Sequence, residues 1–321
     1  MRYLKKKSTF KFSIICIASL LAYYNSVKIP ENDLKIYYNF FQEYSSIDYW
    51  SVINQHNKEH LFYIFMKLYS SLNLSFEVFI YTTTLFGYIV YAHSIDKLNI
   101  TNLKYFDFII IIMMLSPILF NNSAHLNRQF LAASIFMLSL VTRENFFRWF
   151  LYVIGFSFHI SIAVPIFFIE IIRLRNLNLL YMIIIFSFSL IVLQLFKNFN
   201  ILGEINLFQN IYNRIEHGSD ANFLRLNTSS KILLFILMTA NYISYKNLKS
   251  KLNNELIQFF KFNILFIFFI LLFSLDPLFN EPTLRLSYYV FYSAPLAFFF
   301  MIKKLATNTR ILLAFISIIT S

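Results

Sequence analysis

The chain has 321 residues, of which 58% are hydrophobic and 14% are charged, and its mean hydropathy is +0.59. Apolar runs such as 232–245 and 262–275 are too apolar and too numerous for a water-soluble core. The net charge is +12, but lysines and arginines gather at the ends of these runs, where they set membrane orientation and do not indicate nucleic-acid binding. The composition therefore predicts an all-α, polytopic helical integral membrane protein with a single membrane domain, 1–321.

About 20 residues are needed for one helical span, so the chain has room for about 10–11 membrane segments. The first apolar run follows a lysine-rich start and resembles a signal peptide, but it lacks a small-residue cleavage pattern, so we expect it to remain as an anchor. The one cysteine, Cys16, lies inside this run, which excludes a disulfide framework. The predicted apolar segments are 12–27, 76–93, 105–121, 128–142, 147–172, 177–196, 230–245, 258–275, 286–302 and 309–320.

The distribution of lysine and arginine predicts a cytoplasmic N-terminus. The short basic loops near 97, 145, 174, 249 and 304 then face the cytoplasm, and two long loops, 28–75 and 197–229, face outward. Residues 59–68 are too few to span, and they predict an amphipathic helix at the membrane interface. Ser75 is predicted to cap the helix that follows.

Segment 147–172 carries a polar interruption, because Gly155, Ser157, His159 and Ser161 lie in the middle of an otherwise apolar stretch. The interruption predicts a broken-helix hairpin that enters and leaves on the same side of the membrane. One straight span is the alternative, and it would place the arginines at the two ends on opposite sides.

Ionisable residues next to apolar runs are costly in a membrane, so those that do not serve as topology signals are candidate functional residues. On the predicted outer side they are Asp33, Glu59, Arg128, His159, Arg214, Arg225 and Arg285. Each also has a structural interpretation, as a solvated loop charge, a helix-start carboxylate, a snorkelling anchor or a hydrogen-bonded core histidine.

A mixture of arginines and carboxylates suits a diphosphate ligand. The planar guanidinium pairs with two phosphate oxygens at once, and a nearby base takes the proton of a sugar hydroxyl. Histidine is intrinsically a stronger base than a carboxylate, so by this criterion His159 ranks before Glu59 and Asp33 as the proton acceptor. Its place beside aromatic residues suits an orienting hydrogen bond equally well. We therefore rank His159 with Glu59, and Asp33 behind them. The remaining histidines are too scattered for a metal site, and no nucleotide-binding glycine motif is present.

Five short motifs follow one another along most of the chain: Asp33 with Tyr37 and Tyr38; Glu59 with Leu61 and Phe62; Arg128 with Gln129, Leu131 and Ala132; Phe158 with His159, Ser161 and Ala163; and Arg285 with Tyr288. In their order and spacing they resemble the EpsG and Wzy-type polymerases of bacterial surface polysaccharides (O-antigen, capsule or exopolysaccharide). The sequence departs from the family before Asp33, where Ile29, Pro30, Glu31 and Asn32 replace the basic residue and glycine that are often found there.

The resemblance implies a glycosyltransferase in the bacterial cytoplasmic (inner) membrane that joins undecaprenyl-diphosphate-linked oligosaccharide units on the outer face. Undecaprenyl diphosphate leaves from the growing chain, and the incoming lipid-linked unit is the acceptor. The implied partners are these lipid-linked oligosaccharides, the lipid bilayer, a chain-length regulator and other polysaccharide export proteins. Neither a metal nor another cofactor is then expected, since arginines can neutralise the leaving group.

Two other classes stay open at this point. A flippase or transporter for the same lipid-linked sugar would also need a polar pocket, although the internal repeats common in transporters are not evident. A membrane O-acyltransferase would use a histidine at a site supplied from the cytoplasm.

Overall fold

The computed structural model describes residues 2–31, 33–55, 59–98, 106–174, 227–248, 254–274, 280–292 and 294–305. These residues form α-helices, one 3₁₀ turn and short connections, with no strand in the described ranges. The all-α class predicted from composition is confirmed. The predicted segments 177–196 and 309–320 lie outside the described residues, as does nearly all of the predicted loop 197–229.

In chain order the helices are α1 (Arg2–Ser26), α2 (Asp33–Tyr44), α3 (Tyr49–Gln55), α4 (His60–Ser71), α5 (Phe76–Lys97), α6 (Phe106–Met114), α7 (Pro117–His125), α8 (Asn127–Leu140), α9 (Asn145–Phe158), a 3₁₀ turn (Ile160–Ile162), α10 (Ala163–Leu174), α11 (Thr228–Leu248), α12 (Asn254–Phe273), α13 (Asn280–Phe291) and α14 (Ala294–Leu305).

Two described helices are long and apolar enough to cross a membrane, Phe76–Lys97 and Leu256–Phe273. The pair Asp107–Met114 and Leu119–His125 forms a third candidate if it is one span bent by 53°. A helical membrane protein is therefore confirmed, whereas the total of 10–11 segments and the cytoplasmic N-terminus stay predictions.

The segments predicted at 105–121 and 286–302 are each divided between two helices. In the first, α6 ends at Met114 and α7 begins at Pro117. A proline lacks the N–H that a continuing helix would need at this position. In the second, Pro295 lies in the first turn of α14, where a missing N–H costs nothing.

Segment 28–75, predicted as a loop ending in one helix, contains the three helices α2, α3 and α4. The helix predicted near 59–68 is present as α4, and Ser75 caps α5 by accepting a hydrogen bond from the Val78 N–H at 3.4 Å. The helices α2 and α3 were not predicted, and α2 buries one face, with Leu34, Tyr37, Phe41 and Tyr44 inside the protein. The side of the membrane that this segment faces stays a prediction.

The described chain divides into two compact units, the first running to Ile166 and the second beginning at Phe167. In the first unit α8 is the central helix and is buried along almost its whole length. It packs against α5 on one side and α9 on another. The contact with α5 is close at Gly87, where a Cβ would lie only 2.4 Å from Cε1 of Phe130.

In the second unit α11 packs against α12 and α14, and α12 packs against α13. A buried hydrogen bond links α11 to α12, since the Asn263 amide donates to Asn241 Oδ1 at 3.1 Å. Phe168 of α10 packs edge-on against Phe266 and Phe269 of α12, with ring centroids 5.2 and 4.8 Å away.

Segment 147–172 is broken at His159, so the predicted helix break is confirmed. The backbone of His159 is extended, with φ −156° and ψ 123°, and the 3₁₀ turn follows at once. Whether α9 and α10 emerge on the same side of the membrane stays a prediction.

Candidate active site

Residues far apart in the chain meet at the start of α8 in the first unit. We call them the Arg128 cluster: Tyr37 of α2, Glu59 just before α4, Tyr63 of α4, Arg128 of α8, and His159 at the break after α9. Three of the seven candidate residues from the sequence, Glu59, Arg128 and His159, are thus brought together.

The Arg128 guanidinium is held on several sides. Its Nε donates to the Tyr37 hydroxyl at 2.8 Å, and its Nη1 donates to the Tyr63 hydroxyl at 2.8 Å and to Glu59. The two tyrosine rings also lie against the cation, 4.9 and 5.4 Å from Cζ to their centroids. No hydrogen bond to a described residue uses Nη2, so the held guanidinium presents one terminal nitrogen with two N–H donors.

Glu59 connects the guanidinium to the helix break. One carboxylate oxygen, Oε2, pairs with Arg128, while the other, Oε1, accepts from the Ile160 N–H at 3.3 Å. The side chain is only 13% exposed, and that of Arg128 is 16% exposed. Two charges this far from water are stable because each compensates the other.

His159 forms the far side of the cluster and is buried. Its Nδ1 accepts a hydrogen bond from the Ser161 N–H at 3.1 Å, lies 2.8 Å from Ser161 Oγ, and is 3.7 Å from Glu59 Oε1. The imidazole therefore caps the 3₁₀ turn that follows the break. The break is thus stabilised by its own side chains, since Glu59 and His159 satisfy the first two N–H groups of the turn.

The tyrosines of the cluster stay protonated at neutral pH. Burial raises the pKa of Tyr37 and that of Tyr63 above the ordinary phenol value, and the Arg128 charge only partly offsets the rise. Each hydroxyl oxygen therefore accepts from Arg128 as a neutral group, and the cluster keeps the guanidinium charge without adding phenolate charges.

Asp33 begins α2, one helical turn before Tyr37. Its negative charge contributes to the raised pKa of both Tyr37 and Tyr63, which places it in the electrostatic neighbourhood of the cluster. Its side chain is partly buried, and within the described ranges its carboxylate takes part in no ion pair or hydrogen bond.

Three candidate residues remain: Arg285, Arg214 and Arg225. Arg285 lies on α13 of the second unit, one turn before Tyr288. Arg214 and Arg225 lie outside the described residues.

Tyr63 is missing from the candidate residues of the sequence, and Tyr37 appears there only within a motif. Both follow a candidate carboxylate by four residues, Tyr37 after Asp33 and Tyr63 after Glu59. At helical spacing, residues i and i+4 share a face, so this repeated pattern was a usable signal.

A contact between Lys28 Nζ and His125 Nε2, at 2.7 Å, is also absent from the sequence predictions. No local pattern indicates it, because the two residues are 97 positions apart. In the described part of the chain no three residues of the types His, Cys, Asp and Glu form a group that could hold a metal ion.

Comparison with known proteins gives one positive result. The family model of the EpsG family matches residues 9–321 and so covers nearly the whole chain, including every residue of the Arg128 cluster. No curated protein and no solved structure matches the chain significantly. The matched family consists of Wzy-type polysaccharide polymerases, which are membrane glycosyltransferases. The chain therefore belongs to the EpsG family.

Proposed function

We propose that this protein joins oligosaccharide repeat units carried on undecaprenyl diphosphate, at the outer face of the bacterial cytoplasmic membrane. The growing chain on its lipid diphosphate is the donor, and a second lipid-linked unit is the acceptor. The observation that carries this proposal is the Arg128 cluster, a guanidinium held by two tyrosines and one carboxylate with a terminal nitrogen left to meet an anion.

The held guanidinium suits a diphosphate leaving group for two reasons. Arginine keeps its charge when partly removed from water, and the two N–H groups of Nη2 are left to donate to phosphate oxygens. The surrounding hydrogen bonds fix the guanidinium before the substrate arrives, so little reorganisation is needed as negative charge develops on the leaving oxygen. Arg285, Arg214 and Arg225 are proposed as further ligands of the diphosphate.

The reaction is a glycosyl transfer. A hydroxyl oxygen of the acceptor sugar bonds to the anomeric carbon of the donor, the bond from that carbon to the diphosphate oxygen breaks, and the diphosphate leaves with the electron pair. The hydroxyl proton passes to a base on the protein. Glu59, Asp33 and His159 are the three proposed for this proton transfer.

The proposed reaction takes place at the outer face of the cytoplasmic membrane because, in the proposed topology, segment 28–75 faces outward. Glu59, Tyr37 and Tyr63 all belong to this segment, and the position of the cluster thus follows from the orientation of one stretch of chain. The chain-length regulator and the export proteins are proposed as partners on the same side.

A deletion strain distinguishes the proposed function from the two alternatives. We expect single repeat units on lipid carriers and on the surface, with long chains restored by the wild-type gene. Arg128→Ala, confirmed in the membrane at wild-type level, should fail to restore them. Lipid-linked units retained on the cytoplasmic side would indicate a flippase, and full-length chains that lack only acyl groups would indicate an acyltransferase.

A further inference from the structure

His159 is ranked among the possible bases by its chemistry, but its surroundings favour the opposite role. The amide N–H of Ser161 points at Nδ1 and lies 3.1 Å from it. An N–H donor requires an acceptor lone pair, so Nδ1 carries no proton. In a neutral imidazole the proton must then be on Nε2.

The same contacts keep the proton off Nδ1. A proton on Nδ1 would face the Ser161 amide proton, and that hydrogen bond would be lost together with the cap of the 3₁₀ turn. A base that works through Nε2 needs its lone pair there, whereas this tautomer has an N–H.

We infer that His159 donates a hydrogen bond from Nε2 to an oxygen of the departing diphosphate, with its tautomer set by the Ser161 backbone amide. This inference rests on the proposed function and assigns His159 a role other than proton acceptor. The positioning group is the backbone amide of Ser161, since it acts through the imidazole.

The diphosphate is the expected acceptor because His159 Nδ1 and Arg128 Nη1 lie beside opposite oxygens of one carboxylate, that of Glu59. The imidazole and the guanidinium are therefore close enough to serve one anion. The proton of the attacking hydroxyl then passes to a carboxylate. Asp33 is the better placed of the two, since Glu59 is occupied by Arg128 and the Ile160 N–H.

Substitution with amides separates a donor from a base. In His159→Gln the side-chain amide places an N–H₂ near the position of Nε2, but an amide is not a base. In His159→Asn the shorter amide reaches only the position of Nδ1. If His159 is a donor, polymer formation by the Gln variant should stay within about tenfold of wild type, while the Asn variant falls by about 100-fold or more, the range for a lost transition-state donor. Equal loss in both variants would overturn the inference.

A measurement of the tautomer does not depend on activity. Protein with ¹⁵N-labelled histidine is placed in lipid nanodiscs, and the His159 signals are identified by their absence from His159→Gln. We expect a protonated Nε2 and an unprotonated Nδ1 at neutral pH. A protonated Nδ1 would overturn the inference even if the protein polymerises oligosaccharides. A protein without polymerase activity that shows the expected tautomer would refute the proposed function and the diphosphate contact, and the tautomer assignment would stand.

Ser161→Ala is the matched control for these experiments. It removes the hydroxyl at 2.8 Å but keeps the amide N–H that sets the tautomer. The NMR signature should be unchanged, and polymer formation should fall by less than about tenfold. A switch to a protonated Nδ1 in this variant would show that the hydroxyl, and not the backbone, controls the imidazole.

Discussion

Replacement of Arg128 by lysine tests whether the guanidinium holds a diphosphate or only anchors a helix at the membrane surface. Lysine keeps the positive charge, but its single nitrogen has three N–H donors, and Tyr37, Tyr63 and Glu59 would use all of them, so none is left for the diphosphate. A snorkelling anchor would tolerate the exchange, because it needs only charge and length.

The size of the effect follows from the geometry at the guanidinium. The variant loses at least one charge-assisted hydrogen bond to the leaving group, and such a bond contributes about 1.5–3 kcal/mol. Since about 1.4 kcal/mol corresponds to a tenfold change in rate, polymer formation should fall roughly 10- to 150-fold. The loss should appear in turnover at saturating substrate, because the interaction strengthens as charge develops on the leaving diphosphate.

Arg173→Lys is the matched control. Arg173 is also paired with a carboxylate, Glu170 at 2.9 Å, and the two side chains are 10% and 14% exposed, similar to the Arg128–Glu59 pair. It lies in the second unit on a predicted cytoplasmic end. We expect the Arg173 variant to stay within a few-fold of wild type in an assay of chain extension by purified protein. Near wild-type rates for Arg128→Lys, with protein inserted at normal levels, would refute the assignment of the guanidinium.

Three further outcomes are expected. Tyr37→Phe keeps the ring beside Arg128 but removes the hydroxyl that accepts from Nε, so chain extension should fall about tenfold while the amount of folded protein is unchanged. Gly87→Ala inserts a methyl group against the Phe130 ring and should lower stability by about 1–3 kcal/mol, measured as a lower midpoint of thermal unfolding in detergent; an unchanged midpoint would contradict the close packing of α5 on α8. In a chain without its own cysteine, an impermeant thiol reagent applied to whole cells should label Ser46→Cys and leave Asn145→Cys unlabelled. Labelling of Asn145→Cys but not of Ser46→Cys would contradict the predicted topology.

The sequence predicted the class of protein and most helices of the described chain, because composition and the length of apolar runs are local properties. The divided helices were harder to predict. Pro117 was visible, but a proline in an apolar run is compatible with either a kinked span or two helices. The helices of 28–75 were missed since α2 buries Tyr37, Phe41 and Tyr44, and tyrosine and phenylalanine beside polar residues do not stand out in a search for spans.

Within the site, the sequence identified Glu59, Arg128 and His159 from their charge and position alone. Their mutual contacts could not be predicted, because Arg128 and Glu59 are 69 residues apart and Glu59 and Ile160 are 101 residues apart. The state of His159 was also out of reach, since it depends on the direction of one backbone N–H in a turn. The intrinsic basicity of histidine ranks His159 among the possible bases, whereas the geometry of the turn favours a hydrogen-bond donor at this position.

The central claim is that the protein itself joins lipid-linked oligosaccharides and releases lipid diphosphate, with Arg128 on the leaving group. The most direct measurement uses purified protein in lipid vesicles, supplied with one defined oligosaccharide on undecaprenyl diphosphate, and follows chain length by gel and lipid diphosphate release in the same samples. Wild-type protein should give a ladder of products with one lipid diphosphate released for each new glycosidic bond, and Arg128→Ala should give neither. The central claim would be contradicted if the wild-type protein bound the substrate without forming a ladder of products, or if the Arg128 variant formed a ladder of equal length.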